Sequence, residues 1–242
     1  MTQKGNILLD VKGMTIGHLN RELYSGVDIE IREGECIMLC GANGSGKTTL
    51  MKTLAGARPN PRPACIKLSA QAECIMIPAR IPKLAGFTLK EFVRVSCFAQ
   101  SDLYGKLSQA EESSLDQAID RLGLSHLADR DISTLSDGEF QKASIASALV
   151  RKAAVIMLDE PTAFLDAENR ISVLNTLRAL CGETSHTGAG QRPAIIFSTH
   201  DLHDGLQACT KVFALGADGQ FYCSTDSAPA SKADTVSHIF SR

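Results

Sequence analysis

A glycine-rich segment, GANGSGKT at residues 41–48, carries the strongest chemical signal in this sequence. It fits the spacing G-x-x-x-x-G-K-[ST] and lies between an apolar strand pattern and a helical pattern, as a phosphate-binding loop requires. The glycines let backbone N–H groups turn towards phosphate oxygens, and the start of the following helix adds a favourable dipole. Lys47 could reach the β- and γ-phosphates of a nucleotide, and the Thr48 hydroxyl could ligate Mg²⁺. The further candidate contacts of this loop are Asn43, Gly44, Ser45, Gly46 and Thr49.

Two carboxylates, Asp159 and Glu160, follow the apolar run of residues 155–158. The run predicts a buried parallel strand, and an acid pair at its carboxyl end faces the crevice where ligands bind. Asp159 could hold Mg²⁺ directly or through water, and Glu160 could polarise an attacking water. Solvated acids at a strand end are the alternative interpretation, which the phosphate-binding loop disfavours. Since that loop alone occurs in kinases, GTPases, recombinases and transport ATPases, the acid pair narrows the choice.

The segment LSDGE at residues 135–139 precedes an apolar helical pattern. Ser136 can act as an N-cap residue, and the backbone donors at a helix start can bind an anion. Taken alone, the segment is more typical of a helix cap than of a phosphate site. It lies about twenty residues before the acid pair, and this spacing favours the phosphate site.

Together these segments resemble the ATP-binding-cassette (ABC) family of ATPases. GANGSGKT resembles the family's Walker A motif, LSDGE its signature motif and VIMLDEP its Walker B motif. AFLD at residues 163–166 resembles the D-loop, and FSTHD at residues 197–201 resembles the switch-histidine region. The motifs occur in the family's order, and the resemblance covers about residues 7–223. It implies an α/β fold in which a P-loop NTPase (RecA-like) sheet core carries an antiparallel β subdomain and an α-helical signature subdomain.

The resemblance also implies a nucleotide site shared between two chains. In the family two cassettes close head to tail, so Ser136 and Gly138 of one copy would cover the γ-phosphate of ATP held by Lys47 of the other. Glu139 is a further candidate contact of this turn, and Asp166 would communicate across the interface between the copies. ATP and Mg²⁺ are the cofactors that the family uses.

Further roles follow from the same resemblance. Glu160 would activate the attacking water, and His200 would contact the γ-phosphate and stabilise the transition state together with Lys47. The family stacks an aromatic residue on adenine, and His18 occupies the matching place in this sequence. Histidine stacks less strongly than tyrosine, and a surface turn residue is the alternative interpretation of His18.

The sequence departs from the family pattern at two places. The family has a glutamine after the strand that precedes the helical insertion, whereas Ala79 stands there in the segment IPAR at residues 77–80. In the family, that glutamine reaches the metal and the attacking water, and it couples closure of the cassette dimer to the membrane subunits. Ala79 therefore predicts weaker coupling of metal geometry to transport, with hydrolysis retained. In the signature, Asp137 stands where glycine is usual, and Phe140 where a polar or basic residue is common.

Short apolar runs alternate with helical patterns along the chain, which predicts an α/β fold with a mainly parallel sheet. Capping-box spacings at residues 88–91 and 108–111 predict two helices of an insertion between the sheet strands. We therefore predict one cassette over residues 1–242. Its predicted parts are a core at residues 1–80 and 152–242 and a helical subdomain at residues 81–151.

Composition excludes several classes of protein. The 242 residues include 25 Lys and Arg against 27 Asp and Glu, so the net charge of −2 gives no sign of a nucleic-acid partner. The first residues show no apolar signal core, and the longest apolar stretch, residues 143–158, is interrupted by Arg151 and Lys152 and cannot span a bilayer. The eight cysteines show no zinc-binding spacing, which favours small buried hydrophobes in a reducing compartment over a metal or redox role.

The leading hypothesis is the ATP-binding and ATP-hydrolysing subunit of an ABC membrane importer. Residues 78–91 resemble importer cassettes for iron-siderophore, haem and cobalamin. The implied partners are membrane-spanning permease subunits, a second cassette in a homodimer and, indirectly, a substrate-binding protein. The chain would then be cytoplasmic and peripheral on the inner face of the cell membrane. The alternative is a soluble ABC ATPase of an assembly machine, such as one for iron–sulfur clusters, whereas a small-molecule kinase fits neither the signature nor the switch histidine.

Overall fold

Nine β-strands in two sheets form the framework of the described part of the chain. The computed structural model describes residues 5–18, 21–57, 65–68, 73–97, 107–182, 192–224 and 226–240. The strands are β1 (Ile7–His18), β2 (Arg21–Arg32), β3 (Cys36–Gly41), β4 (Cys65–Leu68), β5 (Cys74–Ile77), β6 (Val155–Leu158), β7 (Ala194–Ser198), β8 (Lys211–Leu215) and β9 (Phe221–Cys223).

The larger sheet has six strands in the order β5-β6-β7-β3-β8-β9. The first five of these run parallel, and β9 pairs antiparallel with β8. Every residue of β3, β6 and β7 is buried, as expected for central parallel strands that are covered on both faces. Because parallel strands end at the same edge of a sheet, the segments that follow β3, β6 and β7 meet there.

The smaller sheet is antiparallel, with the strand order β2-β1-β4. Residues 27–31 of β2 alternate between apolar and polar side chains, as in a half-buried strand, and Val27, Ile29 and Ile31 are buried. Strand β4 was not predicted; it is short, and its Ile66 and Leu68 side chains are both exposed. It forms by pairing with β1, where Leu9 opposes Leu68.

Seven α-helices complete the described part of the chain: α1 (Lys47–Leu54), α2 (Leu89–Val95), α3 (Gln109–Arg121), α4 (Asp137–Val150), α5 (Ala167–Gly182), α6 (Leu202–Ala208) and α7 (Pro229–Ser237). Both predicted capping boxes are confirmed, with Thr88 and Glu91 at the start of α2 and Ser108 and Glu111 at the start of α3. Helices α2, α3 and α4 pack on one another and form a helical layer beside the larger sheet.

The two faces of the larger sheet belong to two hydrophobic clusters. Side chains that alternate along β6 separate accordingly: Ile156 and Leu158 join the cluster that contains α4 and α5, and Met157 joins the one that contains β1, β2 and α1. Burial on both faces fixes the strand register, and it therefore fixes where the residues after each strand lie.

The predicted fold class is confirmed: the chain is an α/β protein with a mainly parallel sheet, an antiparallel β-sheet and a helical layer. The proposed subdomain boundaries, at residues 80/81 and 151/152, stay a prediction. Among the described residues, no helix combines the length and the apolar character needed to cross a membrane.

Most cysteines of the described residues lie in the core, as predicted. Burial raises the pKa of the Cys40 thiol to about 12 and that of Cys209 to about 11, so both thiols stay protonated at neutral pH. Cys223 is exposed. No cluster of three or more His, Cys, Asp or Glu side chains suited to a metal ion occurs within the ranges that the structure describes.

Candidate active site

The predicted phosphate-binding loop connects β3 with α1. Gly46, the residue before α1, has a φ of 106°, a left-handed conformation that favours glycine. A Cβ atom at Gly46 would lie 2.9 Å from Cδ1 of Leu23 in β2, so the Leu23 side chain would have to move to admit one. The Ser45 N–H group donates to the Ala42 carbonyl at 3.1 Å and closes the turn. Such a turn, followed by a helix start, can present backbone N–H groups to an anion.

One buried polar atom in this loop has no protein partner. The Ser45 hydroxyl is buried and makes no hydrogen bond to any of the residues that the structure describes. An unpaired buried hydroxyl is unfavourable, and a phosphate oxygen would satisfy it. Of the other candidate contacts, Asn43 and Gly44 are exposed at the tip of the loop, and Thr49 lies half-buried in the first turn of α1. The loop therefore fits a phosphate ligand.

Lys47 is the first residue of α1, and its side chain turns back across the loop. The residue is only 7% exposed, and its ammonium group donates to the carbonyls of Gly41 at 2.9 Å and Ala42 at 3.2 Å. Burial lowers the pKa of Lys47, and the nearby carboxylates of Glu160 and Asp159 act in the opposite direction. The ammonium group thus stands between the loop and the acid pair, where a bound phosphate would attract it.

The Asp159 carboxylate is buried at the edge of the sheet, and both of its oxygens accept hydrogen bonds. Oδ2 accepts from the Thr48 hydroxyl at 2.7 Å, and Oδ1 accepts from the Ser198 hydroxyl at 2.9 Å. Thr48 and Asp159 lie 111 residues apart in the chain, yet the ends of β3 and β6 bring them into contact. A hydroxyl and a carboxylate are the hard oxygen ligands that Mg²⁺ prefers, so this pair fits that ion.

Glu160 has a backbone conformation that is rare outside glycine. Its φ is 47°, and such left-handed residues are typical of functional sites, where they cost about 1–3 kcal/mol. The Glu160 N–H group donates to the Ser198 hydroxyl at 2.8 Å, which stabilises this turn. The carboxylate Oε1 lies 2.6 Å from Nε2 of His200. The turn therefore directs the Glu160 side chain away from Asp159 and towards His200.

His200 and Glu160 form a pair at the rim of the site. The side chains are 48% and 32% exposed, so both can reach solvent and a ligand. This contact brings together the two residues for which the sequence predicted catalytic roles. A carboxylate held by an imidazole at the end of the strands can orient and deprotonate a water molecule.

Ser198 is a site residue that the sequence analysis did not single out. As the last residue of β7, it accepts a hydrogen bond from the Glu160 backbone and donates one to the Asp159 carboxylate. It therefore fixes the two acids relative to each other. The available signal was its place at the end of a buried strand next to the strand that carries the acid pair.

The LSDGE turn begins α4. Ser136 is the N-cap residue: its hydroxyl accepts from the Glu139 N–H group at 3.3 Å, and its own N–H group donates to Glu139 Oε2 at 2.7 Å. The hydrogen bond from the Ser136 N–H group to the carboxylate lowers the pKa of Glu139. The N-cap role predicted for Ser136 is thus present, and the Glu139 carboxylate serves as the reciprocal partner in this cap.

The LSDGE turn packs closely against the segment after the acid pair. A Cβ atom at Gly138 would lie 2.9 Å from Oδ1 of Asn169, so glycine permits this approach. Asn169 in turn donates its N–H group to Asp166 Oδ1 at 2.8 Å and its side-chain amide to Asp166 Oδ2 at 3.1 Å. Asp166, exposed just before α5, is therefore held in place by the residue that faces the turn.

A cavity of about 410 Å³ opens beside Glu160, between the acid pair and the start of α4. Ala79 lines it together with Arg80 and Lys83, which lie in the segment between β5 and α2. The Arg80 guanidinium carbon lies 4.6 Å from the centre of the Phe164 ring, so this segment contacts the D-loop segment by a cation–π interaction.

The structure thus brings the predicted residues together in two separate groups, each of which also contains a residue that was not predicted, Ser198 in the first and Asn169 in the second. The first group lies at the edge of the larger sheet and consists of Lys47, Thr48, Asp159, Glu160, Ser198 and His200. The second group lies around the start of α4 and consists of Ser136, Gly138, Glu139, Asn169 and Asp166. For His18, the backbone pairs with Arg21 at the end of β1, and the side chain lies outside the described part of the structure.

Similarity to known proteins agrees with this arrangement. The family model for the ABC transporter matches residues 24–163. The chain is 31% identical to the aliphatic sulfonates import ATP-binding protein SsuB 1 of Pseudomonas fluorescens, over 91% of this chain and 78% of that protein. It is 28% identical to the cobalamin import ATP-binding protein BtuD of Halobacterium salinarum, over 96% of this chain and 58% of that longer protein.

The fold has a close match among solved structures. A nucleotide-free ATP-binding cassette from an ABC transporter superposes with a TM-score of 0.80 at 17% identity, over 98% of this chain and 100% of that one. Identity at this level supports the fold alone, whereas the family match supports membership. The chain therefore belongs to the ABC transporter family, as an ATP-binding cassette that hydrolyses ATP.

Proposed function

We propose that this chain is the ATP-hydrolysing subunit of an ABC importer and that it works as a head-to-tail pair of identical chains. The observation that carries the proposal is the separation of the predicted residues into two groups. Lys47, Asp159 and Glu160 lie at the sheet edge, whereas the LSDGE turn lies at the start of α4. One chain then supplies half of each nucleotide site, and the LSDGE turn of a second chain completes it.

Each residue of the sheet-edge group has a defined part in this proposal. When ATP binds, Lys47 exchanges its bonds to the loop carbonyls for bonds to phosphate oxygens. Thr48 and Asp159 would hold Mg²⁺, and the bound ion would neutralise phosphate charge. Glu160 takes a proton from the attacking water, while His200 keeps the carboxylate in position and contacts the γ-phosphate. His18 stays the proposed contact of the adenine ring.

The proposed direction of transport rests on the relatives, whose names specify import of cobalamin in one case and of aliphatic sulfonates in the other. Because these two cargoes differ, the relatives do not identify the substrate of this chain. Residues 78–91 resemble importer cassettes for iron-siderophore, haem and cobalamin, and we propose a cargo of one of these kinds. The cassette would bind permease subunits on the cytoplasmic face of the cell membrane, and a substrate-binding protein would deliver cargo to the permease. A soluble assembly ATPase is not favoured, since both relatives are import proteins.

The surface beside α2 supports docking on a permease. A groove of about 240 Å³ lies between β5 and the helical layer, with Ile81, Phe92 and Arg151 in its lining. Leu84 and Phe87, in the segment that borders this groove, are exposed apolar side chains at 56% and 42%. Neighbouring exposed apolar groups of this kind are typical of a protein interface. We therefore propose that the permease contacts this side of the cassette.

Purification from the native membrane tests this proposal. We expect the chain to co-purify with a multi-span membrane protein and the Phe87→Glu variant to lose about nine-tenths of that protein, because a buried unpaired carboxylate is strongly unfavourable. Phe240→Glu is the matched control, since Phe240 is an exposed aromatic residue that follows α7. Recovery of the parent chain in a stable soluble complex without any membrane protein would contradict the importer proposal.

The Ala79→Gln variant tests the proposed effect of the missing glutamine. Ala79 lines the cavity beside Glu160, so a longer side chain has room to reach towards the attacking water. We expect about fivefold more cargo transported per ATP hydrolysed, a change at the low end of coupling free energies, and hydrolysis itself within about twofold of the parent. Transport and ATPase rates are measured in proteoliposomes, with Ala110→Gln, at an exposed position in the first turn of α3, as the control. Unchanged rates for Ala79→Gln would contradict this explanation.

A further inference from the structure

The LSDGE turn carries a negative charge at the position where the proposed pairing brings ATP. Asp137 is the first residue of α4, directly after Ser136 and directly before Gly138, and its side chain is 61% exposed. Glu139 in the same turn is engaged in the helix cap, since its carboxylate accepts from the Ser136 N–H group and its own N–H group donates to the Ser136 hydroxyl. Among the described residues, the Asp137 carboxylate takes no part in this cap, and Asp137 lies at the helix start at which a phosphate would bind.

Lys83 contacts this turn from a distant part of the chain. Its ammonium group donates to Asp137 Oδ1 at 2.7 Å and to the Leu135 carbonyl at 2.8 Å. It also lies 5.5 Å from the centre of the Phe140 ring. Three contacts thus join one lysine to the residues immediately before, within and after the start of α4. The Lys83 side chain is 25% exposed, so its ammonium group is partly withdrawn from solvent.

The charges explain why this contact matters for nucleotide binding. A helix start attracts anions through its free N–H groups, whereas an adjacent carboxylate repels a polyphosphate. The repulsion becomes stronger when a second chain covers the turn and removes water. The Lys83 ammonium group, paired with the Asp137 carboxylate, offsets the repulsion between that carboxylate and a polyphosphate. The backbone N–H groups of the helix start then stay available to the phosphate.

We infer that Lys83 is a positioning residue that neutralises Asp137, so that the LSDGE turn of one copy can accept the terminal phosphates of ATP bound to the other. This inference rests on the proposed function, because it requires two copies to share the nucleotide. It explains how a signature with an acid at the usual glycine position can still bind ATP. It also gives the segment between β5 and α2 a direct contact with the turn, through Lys83, in addition to its contact with Phe164 through Arg80.

A series of charge-removing variants in the Glu160→Gln background tests the inference, with the ATP concentration needed for dimer formation as the readout. Lys83→Met removes the charge and keeps an apolar stem against Phe140. We expect it to raise the required ATP concentration about tenfold, the order of effect of one unpaired charge near a partly buried site. Adding Asp137→Asn should restore the parent value, because no carboxylate then needs a partner.

The Lys90–Asp116 ion pair supplies a matched control. It also links two parts of the helical layer, and its side chains are exposed to nearly the same extent, at 30% and 58%. Lys90→Met should leave dimer formation unchanged, because exposed ion pairs of this kind contribute little to stability. High salt should reduce the Lys83→Met defect and should not alter Lys90→Met.

The outcomes separate the inference from the proposed function. If the Glu160→Gln parent forms no dimer with ATP, the proposal of a shared nucleotide site is wrong, and the inference about Lys83 is wrong with it. If the parent dimerises and Lys83→Met dimerises at the same ATP concentration, only the inference is wrong. A defect in Lys83→Met that Asp137→Asn does not relieve would show a purely structural role for Lys83 and would also overturn it.

Discussion

The Glu160→Gln variant is expected to hydrolyse ATP about 10²- to 10⁴-fold more slowly than the parent chain and to accumulate as an ATP-bound dimer. The amide cannot accept the proton of the attacking water, whereas it has nearly the shape of the carboxylate. The residues expected to bind ATP, Lys47 and Thr48, are unchanged. Nucleotide binding and closure should therefore proceed, and the step that reopens the dimer should not.

Phosphate release and size-exclusion chromatography with light scattering check this expectation. Glu168→Gln is the matched control, because Glu168 is an exposed acid in the first turn of α5 that takes no part in the sheet-edge group. It should hydrolyse ATP at the parent rate and should not accumulate as a dimer. Hydrolysis by Glu160→Gln at the parent rate would remove Glu160 from the role of base.

The Glu160 carboxylate is held in position by residues at the end of β7, of which His200 makes the direct contact. Its Nε2 atom lies 2.6 Å from the carboxylate of Glu160, whose backbone has a left-handed conformation. Ser198 stabilises that backbone conformation through the Glu160 N–H group. The proposed base is therefore oriented by two residues near the end of β7, which themselves follow from the parallel register of the sheet.

The sequence allowed the helix starts and the sheet-edge group to be predicted, because the first follow from short-range rules and the second from strand order. A capping box needs only residues three apart, and those of α2, α3 and α4 are all present. Buried apolar runs predict parallel strands, and the ends of parallel strands meet, which is why Thr48 and Asp159 come into contact.

The contacts that escaped prediction join residues that no local rule connects. Lys83 and Asp137 are 54 residues apart, and Lys83 lies in a segment without regular secondary structure, so no periodicity indicates where its side chain points. Strand β4 escaped for a similar reason, since its pairing with β1 and not its own pattern determines its conformation. In both cases the partner is far away in sequence.

The Lys47→Ala variant is expected to bind ATP about 100-fold more weakly than the parent chain, because one buried ammonium group that forms charge-assisted hydrogen bonds contributes about 1.5–3 kcal/mol. The native ammonium group is already desolvated and directed along the loop by the Gly41 and Ala42 carbonyls, so ATP meets a pre-oriented cation. Folding should not suffer to the same degree, since burial of this ammonium group is itself unfavourable and lowers its pKa.

Lys52→Ala in the same helix is the control, because Lys52 is exposed and faces away from the loop core. Titration with a fluorescent ATP analogue and a thermal unfolding midpoint should separate binding from folding: Lys47→Ala should lose affinity at an unchanged midpoint, and Lys52→Ala should keep both. Lys47→Arg should also bind weakly, because a planar guanidinium group cannot replace a compact ammonium group between two carbonyls. If Lys47→Ala bound the analogue as tightly as Lys52→Ala, the loop between β3 and α1 would not be the phosphate site. In that case a bound phosphate could not be the hydrogen-bond partner of the buried Ser45 hydroxyl, and another group would have to fill that role.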